Sequence, residues 1–156
     1  MTVNHRRAAG ALVIALLLAL SGCGGDDRKQ DNDYVDQVNR VQTKFASAYK
    51  RIASEITSTT SVREDKQTFD QLETTIDETV ADLRAVEPPE KVQKLHNDLV
   101  LVLEGYGTKL GGASEDLLSG DQKRAARAMT QLASDTSDAS ADFTRAINDI
   151  NSTLHD

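Results

Sequence analysis

The sequence of 156 residues lacks tryptophan and has only one cysteine, two prolines and six aromatic residues. One cysteine excludes a disulfide framework and any metal site built from several thiolates. Acidic residues outnumber basic ones by 25 to 18, and a chain of this charge is repelled by a phosphate backbone. We therefore expect no nucleic-acid partner, no metal and no cofactor, and the length suits one domain.

The first 22 residues differ from the rest of the chain. They contain no acidic residue, two arginines (Arg6 and Arg7) and an unbroken apolar or small run from Ala8 to Leu20. A helix over this run would be about 20 Å long, which is short of the ~30 Å hydrocarbon core of a bilayer. The segment is therefore typical of a cleaved signal peptide over residues 1–22, with a short membrane-spanning anchor as the alternative.

The only cysteine follows this apolar run. The residues Leu20-Ser21-Gly22-Cys23 resemble the lipobox of bacterial lipoproteins, in which a Leu and two small residues precede the cysteine that is modified. The resemblance implies cleavage between Gly22 and Cys23 and a diacylglyceryl group on the Cys23 thiol. Acyl chains such as palmitate would then hold the protein at the extracytoplasmic face of the cell membrane, and two or more chains anchor stably. A free thiol after an ordinary signal peptide is the alternative.

The segment after the cysteine has nothing to bury. Residues 24–33 contain no apolar side chain, and such a segment is expected to stay disordered. We therefore predict a flexible tether over residues 23–33, with ten residues reaching about 33–36 Å when extended. A folded domain over residues 34–156 would follow. Without the signal peptide, the chain has 16 basic and 25 acidic residues.

Apolar residues from Tyr34 onward recur at steps of three and four, which predicts four amphipathic helices. No stretch alternates with period two for long enough to form a strand. The predicted stripes are Tyr34, Val38, Val41, Phe45, Ala48, Ile52 and Ile56; then Phe69, Leu72, Ile76, Val80 and Leu83; then Val92, Leu95, Leu99, Val102 or Leu103, Tyr106, Leu110 and Leu117; then Ala125, Met129, Leu132, Thr136, Ala139, Phe143, Ile147, Ile150 and Leu154.

Polar residues and prolines predict where these helices begin and end. The first helix has N-caps at Asp31 to Asp33, and the second begins with a capping box at Ser61 and Glu64 and stops at Glu87 before Pro88. Pro89 lies in the first turn of the third helix, which stops at Leu118-Ser119-Gly120. Ser119 with Gln122 caps the fourth helix. Helices with short connections favour antiparallel neighbours. The sequence therefore predicts an all-α, antiparallel four-helix bundle with up-down-up-down topology and coiled-coil-like packing.

No residues of the folded part form a catalytic constellation. A nucleophile triad needs a base, usually histidine, and His96 lies at the flank of the third stripe. We expect its ring to pack at the boundary of the core with one nitrogen in water, and we expect no enzyme activity. Carboxylates recur on two helix faces, namely Asp135, Asp138 and Asp142 on one helix and Glu73 with Asp77 on another. We interpret both as solvated faces rather than metal sites.

Four glycines fall within the third stripe, namely Gly105, Gly107, Gly111 and Gly112. Each costs about 1 kcal/mol relative to alanine in a helix interior. One interpretation is that the helix ends or kinks near Gly111 and Gly112. The other is that the missing side chains open a groove or allow close helix contact beside Tyr106. The candidate ligand or partner groove is therefore at Gly105, Tyr106 and Gly107.

The function expected from these patterns is that of a membrane-anchored module. The run Leu99 to Leu103 is apolar on all sides, which indicates burial, with an exposed patch for an envelope partner as the alternative. The residues Glu87-Pro88-Pro89-Glu90 before Leu95 to Val100 are similar to those of small all-helical bacterial lipoproteins. We expect a non-enzymatic binding or accessory protein of the cell envelope with a protein partner. A structural role through self-association of the bundle is the first alternative, and an enzyme is the second.

Overall fold

A computed structural model describes residues 25–55 and 62–155 of the chain. The predicted signal peptide, Cys23 and the cap at Ser61 lie outside the described residues. The described ranges form four α-helices and no strand, and the helices are α1 (Gly25–Glu55), α2 (Val62–Arg84), α3 (Gln93–Leu117) and α4 (Gln122–His155). A short 3-10 helix, Glu90–Val92, precedes α3. In these ranges no helix is long and apolar enough to cross a membrane.

Contacts between neighbouring helices show that they run antiparallel. Arg84 near the end of α2 pairs with Glu104 in the first half of α3. Glu73, eleven residues earlier in α2, accepts a hydrogen bond from Ser114 near the end of α3. The same relation holds between α3 and α4, whose pairs are Lys109 with Asp135 and Asp116 with Arg124. The predicted all-α four-helix bundle is confirmed.

The core is one cluster of buried side chains to which all four helices contribute. The predicted stripes supply most of it, since a helix buries the face on which its apolar residues recur. Its members are Tyr34, Val35, Val38, Phe45, Ile76, Val80, Leu83, Val86, Val92, Leu99, Val100, Leu103, Tyr106, Leu110, Phe143, Ile147, Ile150 and Leu154. Met129, predicted to lie in the fourth stripe, is instead 49% exposed, and Ala128 is buried in its place.

The apolar run in α3 is mostly buried, as the preferred interpretation predicts. Leu99, Val100 and Leu103 belong to the core, and Val102 packs against it. Leu101 alone points outward and is 61% exposed. A single exposed leucine is common on protein surfaces, so this run forms no extended apolar patch.

The first helix begins nine residues earlier than predicted. α1 starts at Gly25, so the expected tether and N-caps over residues 25–33 are helical instead. Residues 25–33 have no apolar side chain to bury, but Asp31 is a buried carboxylate. Its Oδ2 lies 2.8 Å from Nζ of Lys91, and that Nζ also donates to the carbonyl oxygen of Leu154 at 3.4 Å. An ion pair, not an apolar contact, holds this first part of α1 on the bundle.

The connection between α2 and α3 also differs from its predicted bounds. α2 ends at Arg84, three residues before Glu87, because the chain turns so that Val86 enters the core. Pro89 then precedes the 3-10 helix with φ −54° and ψ 145°, so it lies just before a helical turn rather than within one. Its carbonyl oxygen accepts the first hydrogen bond of that turn, from the amide of Val92 at 3.0 Å.

The N-terminus of α4 is capped by Asp121, not by Ser119 as predicted. The Asp121 carboxylate accepts hydrogen bonds from the amides of Lys123 at 2.8 Å and Arg124 at 3.1 Å. A charged acceptor at this place also interacts favourably with the helix dipole. The Ser119 hydroxyl donates to the carbonyl oxygen of Asp116 and so closes α3 instead. Gly120 between them has φ +78°, a conformation that glycine adopts without steric cost.

Candidate functional site

The three residues of the predicted groove face in three directions. Gly105, Tyr106 and Gly107 are consecutive in α3, and successive residues of a helix are rotated by about 100°. Gly105 is exposed, Tyr106 is buried, and Gly107 is half-buried against α2. The structure therefore does not bring the three side-chain positions together, and only Gly107 lines a groove.

Tyr106 fills the interface between α3 and α4. Its ring belongs to the core, and its hydroxyl lies 3.1 Å from Oγ1 of Thr136. Because Thr136 donates its own hydrogen to the carbonyl oxygen of Leu132 at 2.7 Å, the Tyr106 hydroxyl is the donor in this pair. Burial raises the pKa of Tyr106, and the hydrogen bond to Thr136 partly opposes this. Tyr106 therefore serves packing between the two helices.

Two of the four glycines allow α3 to approach α2 closely. A Cβ atom at Gly107 would lie 3.0 Å from Cγ2 of Ile76, and one at Gly111 would lie 3.4 Å from Oε1 of Glu73. Gly105 and Gly112 face open space. α3 continues through all four to Leu117, so the interpretation that it ends at Gly111 and Gly112 is wrong. Packing of the surrounding turns outweighs the weak helix propensity of glycine.

An open groove runs between α2 and α3 beside Gly107. Three carboxylates and one guanidinium line it, so its charge is negative. The Arg84 guanidinium pairs with one of these carboxylates, that of Glu104, which leaves two carboxylates on the α2 side. The lining residues are Glu73, Asp77, Val80, Ala81, Arg84, Glu104, Gly107 and Thr108.

The predicted carboxylate faces are not uniformly solvated. Asp135 is only 7% exposed, and its Oδ1 lies 2.8 Å from Nζ of Lys109. The Lys109 ammonium holds the pKa of Asp135 below its usual range, with a further hydrogen bond from Gln131. The interpretation of Asp135 as solvated is therefore wrong. No group of three or more His, Cys, Asp or Glu residues in the described ranges is placed to hold a metal ion.

His96 is buried at the junction of α1, α2 and α3. It is 3% exposed, and both ring nitrogens have protein partners, so the prediction of one solvated nitrogen is wrong. Nε2 lies 3.0 Å from the carbonyl oxygen of Leu83, which can only accept, so Nε2 carries the hydrogen. Nδ1 then accepts from the hydroxyl of Tyr34 at 3.2 Å. The two rings also meet edge to face at 5.7 Å.

This setting favours the neutral form of His96. Burial lowers the pKa of its imidazole, and the hydrogen bond to the Leu83 carbonyl opposes that shift only in part. Burial likewise raises the pKa of the Tyr34 hydroxyl. Both rings are thus neutral at pH 7, and each is committed to joining helices. Such a histidine has no free nitrogen with which to act as a catalytic base.

One buried polar group could not be anticipated from the sequence. The side-chain amide nitrogen of Gln42 is buried without a hydrogen-bond partner, and Gln42 lines a small apolar cavity with Phe45, Leu103 and Phe143. Gln42 directly follows Val41 of the first stripe, and residue type alone does not reveal that its amide turns inward. The Asp31–Lys91 ion pair could not be predicted from the sequence either, because an acidic run before a helix is usually solvated.

Comparison of the chain with protein-family models, with curated proteins and with solved structures gives no match. The residues and their geometry are therefore the whole basis for a functional conclusion.

The glycine contacts predict opposite effects for two neighbouring substitutions. Gly105→Ala removes backbone freedom from the unfolded chain and meets open space, so the free energy of unfolding should rise by about 0.5–1 kcal/mol. Gly107→Ala places a methyl group against the stiff β-branched side chain of Ile76 and should lower the free energy of unfolding by about 1–3 kcal/mol. Urea unfolding of both variants measures this. Equal stabilisation by both would show that α2 and α3 are not in close contact here.

The burial of His96 predicts loss of stability in mild acid. The unfolded chain takes up a proton near the ordinary pKa of 6.5, whereas the folded chain resists it because its pKa is lower. Below pH 6.5 the free energy of unfolding should therefore fall, by up to about 1.4 kcal/mol per pH unit, until the folded pKa is reached.

Urea unfolding at several pH values between 5 and 7.5 would reveal this slope in the natural chain. In His96→Gln the slope should be weaker, whatever the overall stability of the variant, since only the other titrating groups remain. A titration of the His96 ring by NMR gives an independent check. A midpoint at or above 6.5 would contradict the assignment.

Proposed function

We propose that this chain is a lipid-anchored protein of the bacterial cell envelope whose helical bundle is a non-enzymatic binding or accessory module. The observation that carries the proposal is the position of its only cysteine. Cys23 follows Leu20-Ser21-Gly22 at the end of a basic and then apolar leader. Acylation of Cys23 would hold an otherwise polar, acidic domain at the extracytoplasmic membrane face.

The arrangement of the polar residues supports a binding role rather than a catalytic one. His96 uses both ring nitrogens to join three helices. The Asp135 carboxylate is engaged by Lys109 and Gln131. His96 and Asp135, two residues from which acid–base chemistry would be built, thus serve the fold.

We place the protein partner of the module in the groove between α2 and α3. This groove contains Gly107 from the predicted segment, and its negative charge favours a partner surface with basic residues. Thr108 lies at the edge of the groove and is exposed, so it is a suitable position from which to detect a bound protein.

The anchor is tested by substitution of the cysteine. In cells, Cys23→Ala should leave the leader uncleaved by the lipoprotein signal peptidase and should remove the acyl groups from the product. The matched control Ser21→Ala keeps a small residue in the motif and should be processed as the natural chain is. Mass spectrometry of the mature amino terminus gives the readout. A natural chain that begins after another residue, or whose Cys23 carries no lipid, would refute the anchor.

The partner surface is tested by crosslinking in intact cells. A photoreactive amino acid at Thr108 should capture one protein of the envelope, whereas the same amino acid at Thr130 should not. The two positions form a matched pair, since both are exposed threonines whose hydroxyls donate to the carbonyl four residues earlier at 3.1 Å. Thr130 lies on α4, away from the groove. Equal capture at both positions, or capture at Thr130 alone, would rule out the groove.

A further inference from the structure

We propose that the bundle stands end-on at the membrane, with the connection between α2 and α3 facing the lipid headgroups. This inference rests on the lipid anchor at Cys23 proposed above. It adds the orientation of the bundle and the end of the bundle that contacts the headgroup layer of the bilayer.

The distance between the anchor and the folded part is short. α1 begins at Gly25, only two residues after Cys23 in the sequence. Two residues span at most about 7 Å. The start of α1 must therefore lie close to the headgroups, and the long standoff of a flexible tether does not apply.

α1 is also fixed to the bundle close to the anchor. Lys91 binds the buried carboxylate of Asp31 and also the carbonyl oxygen of Leu154. One turn further along α1, Tyr34 is buried and contacts His96. These contacts join the first part of α1 to α3, to the 3-10 helix and to the end of α4. The helix cannot act as a loose stalk, so the anchor restrains the whole bundle.

The end that faces the membrane follows from the antiparallel arrangement. The start of α1 lies beside Lys91 and Leu154, so the connection over residues 85–92 and the end of α4 lie at the same end. Ala126 precedes Leu154 by 28 residues of α4, which corresponds to about 42 Å along the helix. The turn at Gly120 therefore lies at the opposite end, far from the bilayer.

The exposed side chains near the membrane end suit contact with headgroups. Many of them are charged, and of both signs, so they remain hydrated beside zwitterionic or phosphate groups and do not enter the hydrocarbon. They include Arg28, Lys29, Glu87, Glu90 and Lys94. The bundle is thus expected to stand on the headgroup layer without insertion.

An end-on bundle also sets the direction of the groove. Arg84 lies at the membrane end, and Glu73 lies eleven residues earlier in α2, about 16 Å away along the helix. Both line the groove. Its long direction is then perpendicular to the membrane, and a partner reaches it from the side, within the envelope space.

Depth measurements on the acylated full-length protein test the orientation. Ala85→Cys, Ala141→Cys and Ala126→Cys replace exposed alanines at the membrane end, in the middle of α4 and near the far end. With Cys23 acylated, each new thiol is the only free one for a fluorophore. In phosphatidylcholine vesicles that contain a headgroup nitroxide lipid, quenching should be severalfold stronger at position 85 than at 126, with 141 intermediate.

A spacer variant is the control. About twenty Gly and Ser residues inserted between Gly24 and Gly25 add a root-mean-square reach of about 25 Å. The variant should still bind the vesicles, but quenching at position 85 should fall severalfold.

The outcomes separate the two proposals. Equal quenching at all three positions would show that the bundle does not stand end-on, and no effect of the spacer would show that the short link does not set its orientation. Either result would overturn this proposal while leaving the anchor intact. If mass spectrometry finds no acyl chain on Cys23, both proposals fail together.

Discussion

The burial of four apolar stripes in one shared core is the constraint on which the rest of this structure depends, since no single amphipathic helix of this kind is stable alone in water. The core is uneven along the bundle. In the second half of α4, Phe143, Ile147, Ile150 and Leu154 are buried, whereas the first half buries only Ala128 and Asp135. In α4 the large buried side chains thus lie toward the end where α1 begins, and this end is also closed by the contacts of Asp31 and Tyr34. Toward the other end, the large side chains that are fully buried are Ile52 of α1 and Leu110 of α3, and the surface ion pairs there contribute little each.

Buried polar groups decide how the helices are aligned within that core. His96 with Tyr34, Asp31 with Lys91, and Asp135 with Lys109 each join two or more helices. A buried polar group without a partner destabilises the fold. Helix alignments that separate these pairs are therefore unfavourable. Since several of these side chains are titratable, their residue types alone would also make them candidate catalytic residues. Their hydrogen bonds show that they join helices, and the interaction that we propose lies instead at the surface, in the groove between α2 and α3.

Membrane attachment and bundle geometry would act together if Cys23 carries lipid. A short link between an anchor and a rigid helix restricts both the distance of the domain from the bilayer and the direction in which its surfaces point. A partner would then meet the groove at a fixed height and orientation, which reduces the entropic cost of their association. A domain on a long flexible tether would have no such advantage. The ion pair of Asp31 would then have a functional as well as a structural role.

The sequence by itself determined the helical class, the number of helices and most of the core. The spacing of apolar residues along a helix is local, so it is visible in the sequence without knowing which helices pack together. The sequence also favoured burial of the Leu99 to Leu103 run, of which all but Leu101 lie in the core or pack against it. Only the tertiary structure decided where α1 begins, which residue caps α4 and what His96 does, since each depends on a partner distant in the chain or on the exact path of a turn. The predicted groove shows the same limit. The pattern marked Gly105, Tyr106 and Gly107 as unusual, but the rotation of α3 against α2 and α4 assigned one to solvent, one to the core and one to a helix contact.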